Sequence, residues 1–297
     1  MRPLLFNLAS DQTLADNLCA LIQAEKGELE QRHFPDGESY LRVLNDCQQR
    51  DVIIFCNLYQ PDEKTLRLIF LTDTLRELGA RQVGLITPYL AYMRQDKRFK
   101  AGECVSSRPF ARLLSNELDW LITMDPHLHR YNSLDEIYSI PGQVVPAAPL
   151  IAQWVKENIT RPLLIGPDME SEQWVSQVAT LAGAPFQVLT KVRHGDYEVE
   201  VSLPEVERWQ GYTPVLIDDI ISSGRTMLST IDHLESSGLQ QPCCIGVHGL
   251  FAGQAYKSLS QAARVVTTNS IPHDSNRIDI AKPLATAAIN QLNHKAG

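Results

Sequence analysis

The sequence predicts an α/β protein in two halves, each built on a mainly parallel sheet flanked by helices. Three observations carry this expectation. Short apolar runs alternate with stretches whose apolar residues recur at helical spacing, the pattern of βαβ units. The alternation runs twice along the chain, with a junction near "VVPAAPL" (144–150), so the expected domains are 1–145 and 146–297. The length of 297 residues accommodates two domains of about 100–200 residues each.

The elements follow in order. "DVIIFCNL" (51–58) predicts a strand. "EKTLRLIFLTDTLRELGA" (63–80) predicts a helix stopped by Gly79. Strand 82–90, helix 109–118 and strand 119–125 complete the first half. The second half predicts strand 162–166, helix 171–183, strands 186–191 and 214–218, helix 226–238, and strands 243–249 and 264–269. A last helix, 282–294, can pack on either half. The halves share a layout but no letter-by-letter repeat.

Composition excludes several functions. A net charge of −8 argues against general nucleic-acid binding, which needs a basic footprint, but leaves room for a small anion in a local basic pocket. No run approaches the ~18 apolar residues of a membrane span. The start "MRPLLFNLASDQTL" reads as a first strand rather than a signal peptide. Cys19, Cys47, Cys56, Cys104, Cys243 and Cys244 make no CxxC pair and mostly sit in apolar runs, which predicts buried free thiols in a reducing cytoplasm.

The chemistry concentrates in "LIDDIISSGRT" (216–226). Here a strand is expected to end at Asp218, beside Asp219, and a helix to begin near Thr226. Small hydroxyl residues and Gly224 at a helix N-terminus form a phosphate cradle, because unpaired N–H groups and the helix dipole favour an anion. The carboxylates can accept hydrogen bonds from sugar hydroxyls, or hold Mg²⁺ and its waters. The segment therefore suits a phosphorylated sugar. It resembles the phosphoribosyl-diphosphate (PRPP) loop of type I phosphoribosyltransferases and of ribose-phosphate diphosphokinases.

Five further motifs, in order, favour the diphosphokinases. "HFPDGESYLRV" (33–43) reads by itself as a hairpin turn. It also resembles a family loop that contacts ATP from a neighbouring subunit, which implies Asp36, Gly37 and Glu38 as ATP contacts. "RQDKRFK" (94–100) reads alone as a solvated basic loop, although arginine's planar fork suits polyphosphate. The segment resembles the family's Arg-Gln-Asp ATP-binding stretch, with Arg94 and Gln95 as the matching contacts. His127 and His129 in "TMDPHLHR" lack the partner set of a zinc site. His127 matches a family histidine that helps hold Mg²⁺ on ATP, and His129 has no counterpart. Asp168 matches an acid at the metal and ribose-phosphate region. Lys191 and Arg193, on one face of an extended segment, match a Lys-x-Arg at the root of a loop closing over the reacting phosphates.

The resemblance, from about residue 6 to 290, implies two tandem type I phosphoribosyltransferase-like domains. It implies a catalytic role for Lys191 and Arg193, with ribose 5-phosphate held by Arg193, Asp218, Asp219, Ser222, Ser223, Gly224, Arg225 and Thr226. His127 and Asp168 are the implied Mg²⁺ ligands. The implied substrates are ATP and ribose 5-phosphate, giving AMP and PRPP in a cytoplasmic homo-oligomer whose ATP site is shared between subunits. Glu170 and Ser171 replace small residues of the family pattern. Arg225 stands in a loop where many diphosphokinases have Asp-Thr-x-Gly-Thr. These departures keep two other functions open, a phosphoribosyltransferase and a non-catalytic regulatory homologue.

Overall fold

The structure, a computed structural model, describes residues 1–8, 11–167, 171–194, 198–202 and 206–294, with the backbone alone at 190–194, 198–202, 206–207 and 294. The chain divides into two compact units. Met1–Val145 and the chain from Ala281 onward form the first, and Pro146–Ile280 the second.

In the first unit, β1 (Leu4–Asn7) leads through α1 (Gln12–Ile22) to the short edge strand β2 (Glu25–Lys26). Asp11 starts α1 by accepting the Leu14 N–H at 3.0 Å, which satisfies one of the orphan donors of the first turn. The chain then leaves the sheet as an antiparallel hairpin, β3 (Leu29–His33) and β4 (Ser39–Val43). It returns as β5 (Asp51–Phe55), α2 (Pro61–Glu77), β6 (Gln82–Thr87), α3 (Ser107–Glu117), β7 (Trp120–Met124) and β8 (Gly142–Val145).

The sheet order is β2-β1-β5-β6-β7-β8, with every neighbouring pair parallel. Val52, Ile53, Ile54 and Phe55 are fully buried, which explains the unbroken apolar run of β5, since a strand covered on both faces has no polar side. Pro61 opens α2 with Asp62 and Glu63 in its first turn, where the helix dipole favours acids. Its buried stripe is Leu68, Leu71, Thr72 and Leu75, at the spacing of one helix face. On β6, a side chain at Gly84 would overlap Trp120 of β7, so the close approach of that buried indole needs a glycine.

The second unit follows the same plan. It begins with α4 (Ala148–Asn158) and β9 (Pro162–Gly166), then α5 (Glu172–Ala182), which Gly183 ends in the left-handed region (φ 66°). Strand β10 (Phe186–Val188) precedes an antiparallel hairpin, β11 (Thr190–His194) and β12 (Glu198–Ser202). Then come β13 (Thr213–Ile221), α6 (Arg225–Ser236), β14 (Cys243–Gly249), α7 (Ala255–Ala262), β15 (Arg264–Thr268) and β16 (Asn276–Ile278). The sheet order is β10-β9-β13-β14-β15-β16, again with parallel neighbours. In both sheets the second strand lies outside the first, a hairpin follows, and the third strand lies on the first strand's other side. Each sheet thus reverses its order of addition beside its first strand, the kind of place where open α/β sheets bind ligands.

The closing helix α8 (Ala281–His294), grouped by the sequence division with the second half, packs on α1, β7 and β8 of the first unit. Its apolar side (Leu284, Ala285, Ala288) is buried there. Two other expectations are corrected. Segment 186–191 is two strands, so Lys191 belongs to the β11–β12 hairpin rather than to the central sheet. Strand 214–218 runs on to Ile221, because its ladder with β14 continues through Ile220↔His248 and Ile221↔Gly249. The cysteines carry no disulfide. Cys47, Cys56, Cys243 and Cys244 are buried, Cys19 is half-buried and Cys104 is exposed. Burial pushes the Cys56 and Cys243 thiols up to about 12. Among the described residues no helix is long and apolar enough to cross a membrane.

Candidate functional site

In the second unit the site is built on β13 and the turn into α6. Asp218 and Asp219 are half-buried within β13. The Asp218 carboxylate accepts the Asp219 N–H at 2.9 Å. Beyond Ile221 the backbone turns through Ser222, Ser223 and Gly224, whose φ of 68° is left-handed. A Cβ on Gly224 would lie 2.9 Å from Leu259 Cδ1, so this turn needs glycine for both conformation and space.

The turn is braced from one side. Ile221 O accepts the N–H groups of Leu250 (2.9 Å) and Phe251 (3.1 Å), and Ser222 O accepts that of Ala252 (3.1 Å). Helix α6 starts at Arg225, and Gly224 caps it without a side-chain hydrogen bond. The first-turn N–H groups therefore have no side-chain acceptor from their own cap, as an anion site requires. Ser223, Arg225 and Thr226 are exposed and Ser222 is half-buried. In the hairpin, Lys191 pairs with Val201 and Arg193 with Val199 across the ladder. Positions 191 and 193 share one face of β11. Asp168 and Glu170 lie outside the described residues. Ser171, the other departure, is buried at the start of α5.

In the first unit, "FPDGE" is the tip of the β3–β4 hairpin, so its two readings coincide in place. Phe34 N–H donates to Glu38 O (2.8 Å), Gly37 N–H to Phe34 O (2.9 Å), and Glu38 N–H to Asp36 Oδ1 (3.2 Å). Gly37 takes a φ of 92°, and Asp36, Gly37 and Glu38 all face solvent. The Arg32 guanidinium lies over both Phe34 (4.6 Å) and Tyr40 (4.1 Å), stiffening the base of the tip.

Arg94 and Gln95 lie in the connection from β6 to α3. Arg94 is exposed. Gln95 is held at the start of α3: its Oε1 accepts Ser106 Oγ–H (3.2 Å), and its carbonyl accepts the N–H (3.4 Å) and Oγ–H (3.2 Å) of Ser107. His127 is half-buried just past β7, in a left-handed conformation (φ 57°), as is Asp125 (φ 32°). Such backbone is sparsely populated outside glycine and tends to occur at functional sites. The exposed His129 ring lies 4.0 Å from that of His127, centroid to centroid.

Within the second unit, the carboxylates of Asp218 and Asp219 are oxygen donors of the type that a hard divalent cation takes. Sequence reasoning missed the buried Asp96 and its partner Arg130, an ion pair at 3.3 Å. Asp96 stands in a run of charges, and only the fold turns it inward. It missed as well the 250–252 brace, which carries no motif.

Comparison with known proteins gives consistent findings. Residues 4–117 match the family model for the N-terminal domain of ribose phosphate pyrophosphokinase, and residues 133–281 that for the phosphoribosyl transferase domain. The chain is 32% identical over 274 residues to a ribose-phosphate pyrophosphokinase of Sulfolobus acidocaldarius, covering 89% of this chain and 92% of that protein. It is likewise 32% identical over 281 residues to one of Methanopyrus kandleri, covering 93% and 95%. Its fold matches a crystal structure of phosphoribosylpyrophosphate synthetase from Mycobacterium smegmatis with a TM-score of 0.86, at 23% identity over 99% of this chain and 100% of that one.

Proposed function

We propose that this chain, which belongs to the ribose-phosphate pyrophosphokinase family, transfers the diphosphoryl group of ATP to the C1 hydroxyl of ribose 5-phosphate, giving PRPP and AMP. The observation that carries the assignment of the sugar site is the α6 N-terminus with no side-chain cap, behind the Ser222–Gly224 turn and next to Asp218 and Asp219. In this reading the backbone N–H groups of the turn and the hydroxyls of Ser222, Ser223 and Thr226 hold the 5-phosphate. Arg225 adds charge at its rim. Asp218 and Asp219 accept from the ribose hydroxyls, which orients C1.

ATP takes Arg94 and Gln95, with Asp36, Gly37 and Glu38 supplied by the hairpin tip of a neighbouring subunit. The C1 oxygen forms a bond to the β-phosphorus as the bond from that phosphorus to the bridging oxygen breaks. The hydroxyl proton passes to solvent water, and AMP departs with the bridging oxygen. Such transfers depend on in-line positioning and charge neutralisation. Lys191 and Arg193 serve the transferring oxygens. His127 and Asp168 would hold Mg²⁺, which when bound would neutralise polyphosphate charge. The free cysteines fit a cytoplasmic setting.

The test is incubation of purified protein with Mg²⁺, ATP and ribose 5-phosphate. AMP and PRPP should appear together in equal amounts. ATP binding without AMP release would instead identify a non-catalytic homologue. His127→Ala, shown to be folded, should need about tenfold more Mg²⁺ for half-maximal rate, the scale of losing an oriented metal contact. An unchanged metal titration removes His127 from the site. Light scattering should find an oligomer at assay concentrations, and a fully active monomer would eliminate the shared ATP site.

A further inference from the structure

Two loops leave the same end of the first sheet. One, after β6, carries Arg94 and Gln95, and the other, after β7, carries His127. They are neighbours because β6 and β7 pair in parallel up to Thr87↔Thr123. Three side-chain or backbone links join them. Met124 N–H donates to Pro88 O at 3.3 Å. Tyr131 Oη lies 3.4 Å from Ser107 Oγ, and Ser107 itself holds the carbonyl of Gln95. Asp96, next to Gln95, pairs with Arg130 at 3.3 Å.

The last link stands apart. The Asp96 side chain is only 6% exposed, whereas that of Arg130 is 42% exposed. Around it, Arg94, Lys97, Arg98 and Lys100 all face solvent. A carboxylate this buried is costly unless paired, and Arg130 is its ion-pair partner among the described residues. Arg130 comes three residues after His127, in a loop held in left-handed backbone at Asp125 and His127. A short loop of non-glycine residues keeps such a conformation only when its surroundings fix it.

We propose that Asp96 and Arg130 are positioning residues, a clasp that couples the nucleotide loop to the His127 loop. Neither touches the reacting atoms. The pair fixes the distance between the Arg94–Gln95 contacts and the cation ligand, so the site recognises a nucleoside triphosphate carrying its divalent cation better than either alone. This rests on the placement of ATP and Mg²⁺ given above.

The experiment measures ATP binding by calorimetry, with and without Mg²⁺, alongside steady-state kinetics. The variants are Arg130→Met, Arg130→Lys, Asp96→Asn and the double Asp96→Asn/Arg130→Met. Arg130→Met should weaken ATP binding about tenfold in Mg²⁺ and much less without it, within the usual range of coupling between sites. The KM for ribose 5-phosphate should stay within about twofold, and Arg130→Lys should recover part of the loss. The double variant should be no worse than Arg130→Met, because the pair acts as one unit.

A folded Arg130→Met with unchanged Mg²⁺-dependent ATP binding would overturn the clasp, as would losses that simply add in the double variant. Should Arg130→Met fail to fold, the double variant, which buries no unpaired charge, decides by the same binding measurement. Wild-type protein that neither binds ATP nor makes PRPP would instead overturn the functional reading. A normal wild type with unaffected variants overturns the clasp alone.

Discussion

Replacing Lys191 with alanine should lower kcat at least about 10²-fold while the KM values for ATP and ribose 5-phosphate change little. Negative charge moves onto the departing AMP oxygen and the transferring oxygens as the bonds to the β-phosphorus exchange. A cation that meets this charge only at that moment stabilises the transition state more than the ground state, and only such a difference raises kcat. Lys191 stands on a hairpin outside the six-stranded sheet, paired across its ladder with Val201. That setting suits a group that engages late, unlike Arg94, which follows a strand of the central sheet. Loss of one preorganised charge contact typically costs about 3–4 kcal/mol, hence the expected factor. Steady-state kinetics on a variant shown folded by circular dichroism is the measurement. A large rise in KM with kcat preserved would make Lys191 a ground-state binding residue, and no change in either would leave it with no role.

Central strands were legible because both their composition and their limits are local. Pro162–Gly166 and Cys243–Gly249 are apolar runs bounded by chain-breaking or polar residues, and both were read to the residue. Strand β13 was read three residues short at its carboxyl end. Two adjacent carboxylates look like a strand end, but the ladder to β14 carries the backbone past them. The edge strands β2 and β16 have two and three residues, too few to show any alternation. Pro149 of "VVPAAPL" lies in the first turn of α4, where a missing N–H costs nothing. The destination of α8 depends on packing against α1, some 270 residues earlier in the chain. The candidate site divides in the same way. Hydroxyl, glycine and acidic residues announce the Asp218–Thr226 segment by type and order. The burial of Asp96 depends on a partner 34 residues away, from Asp96 to Arg130.

Gly224→Val should reduce kcat/KM for ribose 5-phosphate at least about 10²-fold, mainly through KM, with ATP affinity little changed. The native φ of 68° is disfavoured for any L-residue, by about 1–2 kcal/mol, and more for a β-branched one. The new Cβ would also meet Leu259 Cδ1 at 2.9 Å and Ala255 Cβ at 3.6 Å. Leu259 is fully buried in the core of the second unit, so it has little room to retreat. The turn must give way instead. Its other end is fixed, since Ile221 O and Ser222 O are held by the N–H groups of residues 250–252. The displacement therefore falls on Ser223, Gly224 and the first N–H groups of α6, the groups assigned to the 5-phosphate. Hydrogen bonds to a charged ligand contribute about 1.5–3 kcal/mol each, so misdirecting one or two accounts for the factor. Gly224→Asn separates the two causes. It brings the same Cβ, but asparagine tolerates left-handed backbone, so its loss should be clearly smaller if strain dominates and equal if the Leu259 contact does. The KM for each substrate, measured on variants with native circular dichroism, gives the answer. A folded Gly224→Val with an unchanged KM for ribose 5-phosphate would move the phosphate away from this turn.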